Sequence, residues 1–357
     1  MSTTVEESAV EEVMGRIAAD MGGALGILLT ALGTRSGLWG ALAGAGPLTV
    51  DEVAAKVTVA RPLVREWLAA QAAGGYLAYD PATRTFTLPD AVAAAVYYGP
   101  GGQIVDAGAT MFSSMGAGFA EFARAFGSGQ GFGWHQRTIE HWHGQDAFTR
   151  ATLPDELITA AVGAQTDVAA ALAAGGSVAD VGCGYGAPTL VIASQYPAAR
   201  VLGIDYHDAS IAHCRALATQ AGLANARFEV MAATDLPGTG YDLITFFDSL
   251  HDLGDPLGAL RRARAALGQT GSVLLFEPAA GDDIAANLNP NGRMFYAVST
   301  LICTPNAVSQ QGPASGEPLG AQAGEARLRA LAAQAGFSRV TRLDIPAPMN
   351  MVLDLRP

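Results

Sequence analysis

Ser177-Val-Ala-Asp-Val-Gly-Cys-Gly-Tyr-Gly-Ala187 decides how this chain is read. The apolar run before the first glycine reads as a buried β-strand. It ends in three alternate glycines, Gly182, Gly184 and Gly186, and a helix-like stretch follows from Pro188 to Gln195. Glycine has no Cβ, so backbone can approach a ligand closely. The spare N–H groups that open the next helix then face that ligand. A dinucleotide turn prefers the spacing G-x-G-x-x-G around a pyrophosphate. Here the spacing is G-x-G-x-G, and Asp180 stands two residues before the first glycine. A carboxylate beside the turn would repel a pyrophosphate, but it could pair with an amino group.

Working outward, Arg200 to Asp205 reads as a second strand ending in an acid, which suits two ribose hydroxyls because a carboxylate only accepts hydrogen bonds. A helix (Ser210 to Ala221), a third strand (Arg227 to Met231), a polar turn with Asp235 and a fourth strand (Tyr241 to Phe247) follow. This alternation predicts an α/β fold with a doubly wound parallel sheet. Ligands of such sheets sit at the carboxyl ends of the strands. Asp180, the glycines, Asp205, Asp235 and Asp248 all fall there. A ligand with both an amino group and a ribose points to S-adenosylmethionine, whose methionine end is an ammonium carboxylate.

From about Leu157 to the C-terminus the chain resembles the class I S-adenosylmethionine-dependent methyltransferases. Phe337 to Asp344 and Asn350 to Leu355 read as two strands joined by Ile-Pro-Ala-Pro-Met, like that family's reversed terminal hairpin. The resemblance implies a seven-stranded Rossmann-like sheet and a cofactor site at Asp180, Gly182, Cys183, Gly184, Asp205, Tyr206, Thr234, Asp235, Phe247 and Asp248, with S-adenosylhomocysteine as product. One departure stands out. Many members carry Asp-Ala-x-x-Leu-Pro after the third strand, with the Asp on the adenine. Here the frame reads Ala232-Ala-Thr-Asp235-Leu-Pro237, so Thr234 or Asp235 is expected to take over. Cys183 reads as a small packing residue in the turn, not as a nucleophile.

The 357 residues, half of them hydrophobic, suffice for two domains. The net charge of −12 disfavours nucleic acid and anionic membrane as partners. Cys183, Cys214 and Cys303 form no C-x-x-C pair, so neither a disulfide framework nor a metal site is expected. Glu6, Glu7, Glu11 and Glu12 make the N-terminus unlike a signal peptide, and a cytoplasmic location is expected. The apolar stretch Met21 to Leu42 contains several glycines, Thr30, Thr34 and Arg35, which suits a subunit interface better than a membrane span.

Residues 1–100 form another kind of unit. Thr49 with Glu52 has capping-box spacing, Arg61 to Ala73 reads as a helix stopped by Gly74-Gly75, and Tyr76 to Tyr79 with Arg84 to Leu88 reads as a hairpin. This pattern reads as a winged helix. It resembles the dimerisation domain of small-molecule O-methyltransferases, which implies a homodimer. A cofactor-sensing regulator on DNA, through Arg61 and Arg65, is the rival reading, although Glu66 stands beside them. Residues 101–156 are expected as a helical linker. It holds an apolar helix from Ala107 to Phe126, a flexible break from Gly127 to Gly133, and Trp142 and His143 as candidate pocket residues. His141 and His143 are two apart and point to different sides of a helix, which argues against a metal site with His135.

His251-Asp252 stands just beyond the fourth strand, and Glu277 ends the fifth. In the small-molecule O-methyltransferases such a histidine is the general base and an acid on the fifth strand steadies it. Carried over, His251 is the base, Glu277 its partner, and Asp252 braces the turn. A histidine of ordinary pKa about 6.5 suits proton removal from a hydroxyl near neutrality. The acceptor is expected to be small and fairly apolar, with carbon or nitrogen transfer as the alternative. Residues 281–324 are expected to form a lid or acceptor pocket, with Met294, Phe295, Tyr296 and Ser299 as candidate walls.

Overall fold

The computed structural model describes residues 7–312 and 315–357. Glu6 and two positions of the expected lid, 313 and 314, lie outside the described residues. The chain divides into two compact units. The first runs to Gly116 and takes in Ile139–Ala151; the second holds Ala117–Thr138 and Thr152–Pro357. The expected linker 101–156 is thus shared between them. Its first expected helix is two, Gly101–Ala117 and Phe119–Ser128, parted at Gly118.

In the first unit a 29-residue helix, Glu7–Arg35, leads into the winged helix. Thr49 caps the helix Val50–Ala54: its hydroxyl accepts the Glu52 N–H, and Glu52 in turn accepts the Thr49 N–H at 2.7 Å. Helix Arg61–Ala73 follows, then the wing strands Ala78–Asp80 and Thr85–Thr87. Trp39 and Trp67 meet edge-on in the core, 4.7 Å between ring centres. Their indole N–H groups bond the Thr30 and Leu29 carbonyls, which satisfies the polar end of each buried ring. The long helix leaves Val10, Met14, Ile17, Met21, Leu25, Leu28 and Leu32 exposed, a stripe at helical spacing. Among the described residues it is the one helix long and apolar enough to cross a membrane.

The second unit is built on seven strands: β1 (Ser177–Val181), β2 (Arg200–Asp205), β3 (Ala226–Val230), β4 (Tyr241–Phe247), β5 (Leu267–Pro278), β6 (Arg339–Arg342) and β7 (Asn350–Arg356). Their order across the sheet is β3-β2-β1-β4-β5-β7-β6. β1 through β5 pair in parallel, and β7 runs antiparallel to β5 and β6. Helices cover both faces, so the central strands are apolar on both sides. Val178 and Leu243 join one core cluster, and Ala179 and Ile244 the other. The strand order reverses between β1 and β4, which opens a crevice at their carboxyl ends, the usual ligand position in such sheets.

Candidate active site

The glycine turn requires its glycines. Gly182, Gly184 and Gly186 all have left-handed backbone, φ 71°, 53° and 79°. A Cβ on Gly182 would stand 2.7 Å from that of Ser249, because the loop after β4 crosses close by and the Ser249 hydroxyl bonds the Val181 carbonyl at 2.7 Å. Asp205, at the end of β2, accepts the Gly184 N–H at 3.0 Å and the His207 N–H at 2.9 Å. Burial raises its pKa, and those N–H bonds work against the rise. The carboxylate therefore ties the glycine turn to the neighbouring strand end.

Asp180 is held by two hydroxyls. It is 1% exposed, and its two oxygens take the hydroxyls of Thr189 and Thr245. Burial pushes its pKa up to about 6 against the pull of those two bonds. These bonds tie the end of β1 to β4 and to the helix that follows the glycine turn. Phe247 joins the core, its ring tilted against that of Phe276 at 4.9 Å between centres. Cys183 packs with Ile211, Cys214 and Phe228 under the turn, and burial raises its thiol pKa. Thr234 and Asp235 lie exposed on a short turn, Ala233–Asp235. Asp248 adopts φ 49°, rare for a residue with a side chain, and its carboxyl accepts from Asn350. Burial pushes its pKa up to about 7; the nearby His251 lowers it and Glu277 raises it.

His251 sits on the turn Leu250–Asp252 and is 4% exposed. Its Nδ1 is 2.7 Å from Glu277 Oε2, and its backbone N–H donates to the other oxygen of the same carboxylate. Glu277 is itself 1% exposed. On the other side Nε2 is 3.4 Å from Asp252 Oδ1. Burial alone would lower the histidine's pKa, but the charges of Glu277 and Asp252 outweigh it and raise it well above the ordinary value. The Asp252 side chain faces the imidazole and does not brace the turn as expected. The bracing runs through its backbone carbonyl, which accepts from Asn306 and Gln310. The donor atoms of His251, Asp252 and Cys303 lie within 4.8 Å of one another, close enough to share a cation, although no spacing in the sequence pointed there.

Several neighbours carried no local signal. The segment expected as a flexible break is anchored, with the Phe132 N–H bonded to the Pro305 carbonyl. The Trp134 N–H bonds both the Tyr206 hydroxyl and Asn306 Oδ1, and Tyr206 donates to that same oxygen. Tyr206 thus spends its hydroxyl on this strap. Arg137, 8% exposed, donates to the Leu301 carbonyl. Ser299 is no open pocket wall: it is 7% exposed, and its hydroxyl accepts the Ala321 N–H. Met294 is exposed, and Phe295 and Tyr296 are half-buried on helix Pro290–Val298. Trp142 and His143 belong to the helix Ile139–Thr152, in the first unit.

A parallel sheet with a reversed terminal hairpin, a glycine turn at the switch point and an acid ending β2 define a class I methyltransferase fold. Residues 172–325 match the methyltransferase domain family, and residues 23–97 match the Rv2258c-like winged HTH domain. The chain is an S-adenosylmethionine-dependent methyltransferase with a winged-helix domain ahead of its cofactor domain. Solved structures share the fold over nearly the whole length. A candidate O-methyltransferase of Nostoc punctiforme is 16% identical, covering 99% of this chain and 100% of its own, with TM-score 0.64. Mitomycin 7-O-methyltransferase is 18% identical, covering 98% and 99%, with TM-score 0.62. Human N-acetylserotonin methyltransferase, solved with S-adenosylmethionine, is 17% identical, covering 100% and 99%, with TM-score 0.58. No curated protein matches the sequence.

Proposed function

We propose that the enzyme methylates a hydroxyl of a small, fairly apolar acceptor, with His251 as general base. The observation that carries this is the buried His251–Glu277 pair, 2.7 Å apart, on the strand ends beside the glycine turn. S-adenosylmethionine, when bound, supplies an electrophilic methyl group. Gly182 and Gly184 let the backbone approach it, and Asp205 accepts from its ribose hydroxyls. Thr234 and Asp235 lie on the turn assigned to the adenine. Glu277 fixes the imidazole through Nδ1; once Nε2, which faces Asp252 Oδ1 at 3.4 Å, has lost its proton to solvent it takes the acceptor's, and Glu277 then stabilises the imidazolium. Placement of the two reactants contributes most of the remaining acceleration.

Mass analysis of the product from an acceptor screen tests the assignment, with carbon and nitrogen methylation as the opposing outcomes. His251→Ala should keep S-adenosylhomocysteine affinity and cut turnover by ~10²–10⁴; unchanged turnover removes the base role. A homodimer through the first unit is supported by the apolar stripe on Glu7–Arg35, and a monomer in sedimentation equilibrium would end that reading. The regulator reading finds no support in the winged helix, since Arg61 pairs with Asp51 and Arg65 with Glu66. Three free cysteines suit a reducing cytoplasm; fractionation of the source cells would test that location.

A further inference from the structure

Cys303 has no part in the proposed methyl transfer, yet the fold brings it to His251. It ends the π-helical turn Ser299–Cys303, a rare backbone form that recurs at functional sites. The thiol is buried, within reach of both the His251 ring and the Asp252 carboxyl. One donor atom from each of the three residues lies within 4.8 Å of the other two. Glu277 occupies Nδ1, so Nε2 is the imidazole's donor to this group.

Nε2 and Asp252 Oδ1 stand 3.4 Å apart. That is long for a charge-assisted hydrogen bond, which closes to about 2.7–2.9 Å. It matches the edge of a zinc tetrahedron, since bonds of about 2.0–2.2 Å set a nitrogen and an oxygen ligand about 3.4 Å apart. With a zinc–sulfur bond of about 2.3 Å, the sulfur belongs about 3.6 Å from each, which asks Cys303 to move by about 1 Å at most.

The surroundings fit a metal as well. Glu277 on Nδ1 makes the carboxylate–histidine arrangement that orients metal-bound imidazoles. Asn306 and Gln310 fix the main chain of Asp252. The Asp252 side chain, 24% exposed, gives an ion its way in. Charge balances too. Zinc brings two positive charges and displaces two protons, one from Nε2 and one from the thiol, so the buried charge does not change. Arg137, whose charge acts on Asp252 and Cys303 alike, favours the thiolate. A thiolate in the set selects zinc over magnesium and calcium, which take oxygen ligands.

We infer that His251 Nε2, Asp252 Oδ1 and Cys303 Sγ form an inhibitory zinc site, with water as fourth ligand, that occupies the ring nitrogen needed for proton removal. The metal site stands on this geometry; the inhibition rests on the proposed role of His251.

The test uses the full chain, reduced and free of metal, titrated with zinc against a chromophoric chelator and separately with cobalt(II). One zinc should bind per chain without competition from magnesium, and cobalt should show the charge-transfer absorption of a thiolate ligand. Cys303→Ser should abolish that absorption and weaken zinc binding by ~10²-fold or more, while S-adenosylhomocysteine binds as before. Asp252→Asn keeps the main-chain contacts and the thiol; it should weaken zinc binding comparably, and it serves if Cys303→Ser does not fold. No zinc uptake by the folded wild type, or an affinity that survives either substitution, overturns the site and leaves the base role untouched. Methyl transfer that continues at saturating zinc removes the base role, and with it the inhibition, and leaves the metal site standing.

Discussion

The two ends of the crevice are built on opposite principles. At the β1–β2 end the backbone makes the site, and the acids are satisfied: Asp180 by two threonines, Asp205 by two N–H groups. At the β4–β5 end side chains make the site. They come from four stretches, around Arg137, His251, Glu277 and Cys303, and the groups around His251 are held by charge as much as by hydrogen bonds. A cofactor used in one fixed pose can be held by a local turn complete in itself. Under the proposed function, proton transfer is set by side chains that the fold brings together from distant stretches. The contrast predicts where substitutions act: affinity for the cofactor at one end, proton transfer and its pH dependence at the other.

Asp205→Ala should strike the first end hardest. It removes the acceptor of two backbone N–H groups and the expected ribose contacts together, so S-adenosylhomocysteine affinity should fall by ~10²–10⁴. Calorimetry on the folded variant checks this; near-normal affinity would move the ribose elsewhere. Glu277→Gln should leave that affinity alone and act at the second end. The Glu277 charge is the leading force that raises the His251 pKa, so His251 holds its proton in the resting enzyme and turnover should rise with pH. Glutamine removes the charge, lowers that pKa and moves the rising limb to lower pH, while the alkaline plateau drops about 10²-fold as the ring loses its orientation. A plateau that falls with no movement of the limb would show that another residue sets the pH dependence.

The same division explains what was legible in the chain. The glycine turn, Arg200–Asp205, Tyr241–Phe247 and the terminal hairpin could be read because each signal is local, with a strand period bounded by turn residues. The Thr49–Glu52 cap was legible for the same reason. His251 and Glu277 were placed by their strand ends, 26 residues apart, and the fold brings them together. Arg137, Asn306 and Gln310 had no local signature, since their roles depend on which loops cross the strand ends. For Asp180 the motif gave the residue's position but not its neighbours, the Thr189 and Thr245 hydroxyls that bond it.

Asp248, between the two ends, gives the smallest test. Its folded pKa of about 7 lies above the ordinary carboxylate value, so the folded protein holds this proton more tightly than the unfolded chain. Stability from this group falls as pH rises from about 4 towards 7, and the cost is fully present above that. Asparagine cannot ionise, can still accept from Asn350, and tolerates the left-handed backbone that Asp248 adopts at φ 49°. Partial exposure and the neighbouring His251 reduce the gain, so Asp248→Asn should stabilise by about 1 kcal/mol at pH 8. Thermal unfolding at pH 8 and pH 4.5 checks it, the advantage shrinking at the lower pH. A variant less stable than wild type at pH 8 would mean that the ionised carboxylate is needed to hold the His251 charge. The two ends would then be joined through Asp248 and could not be altered separately.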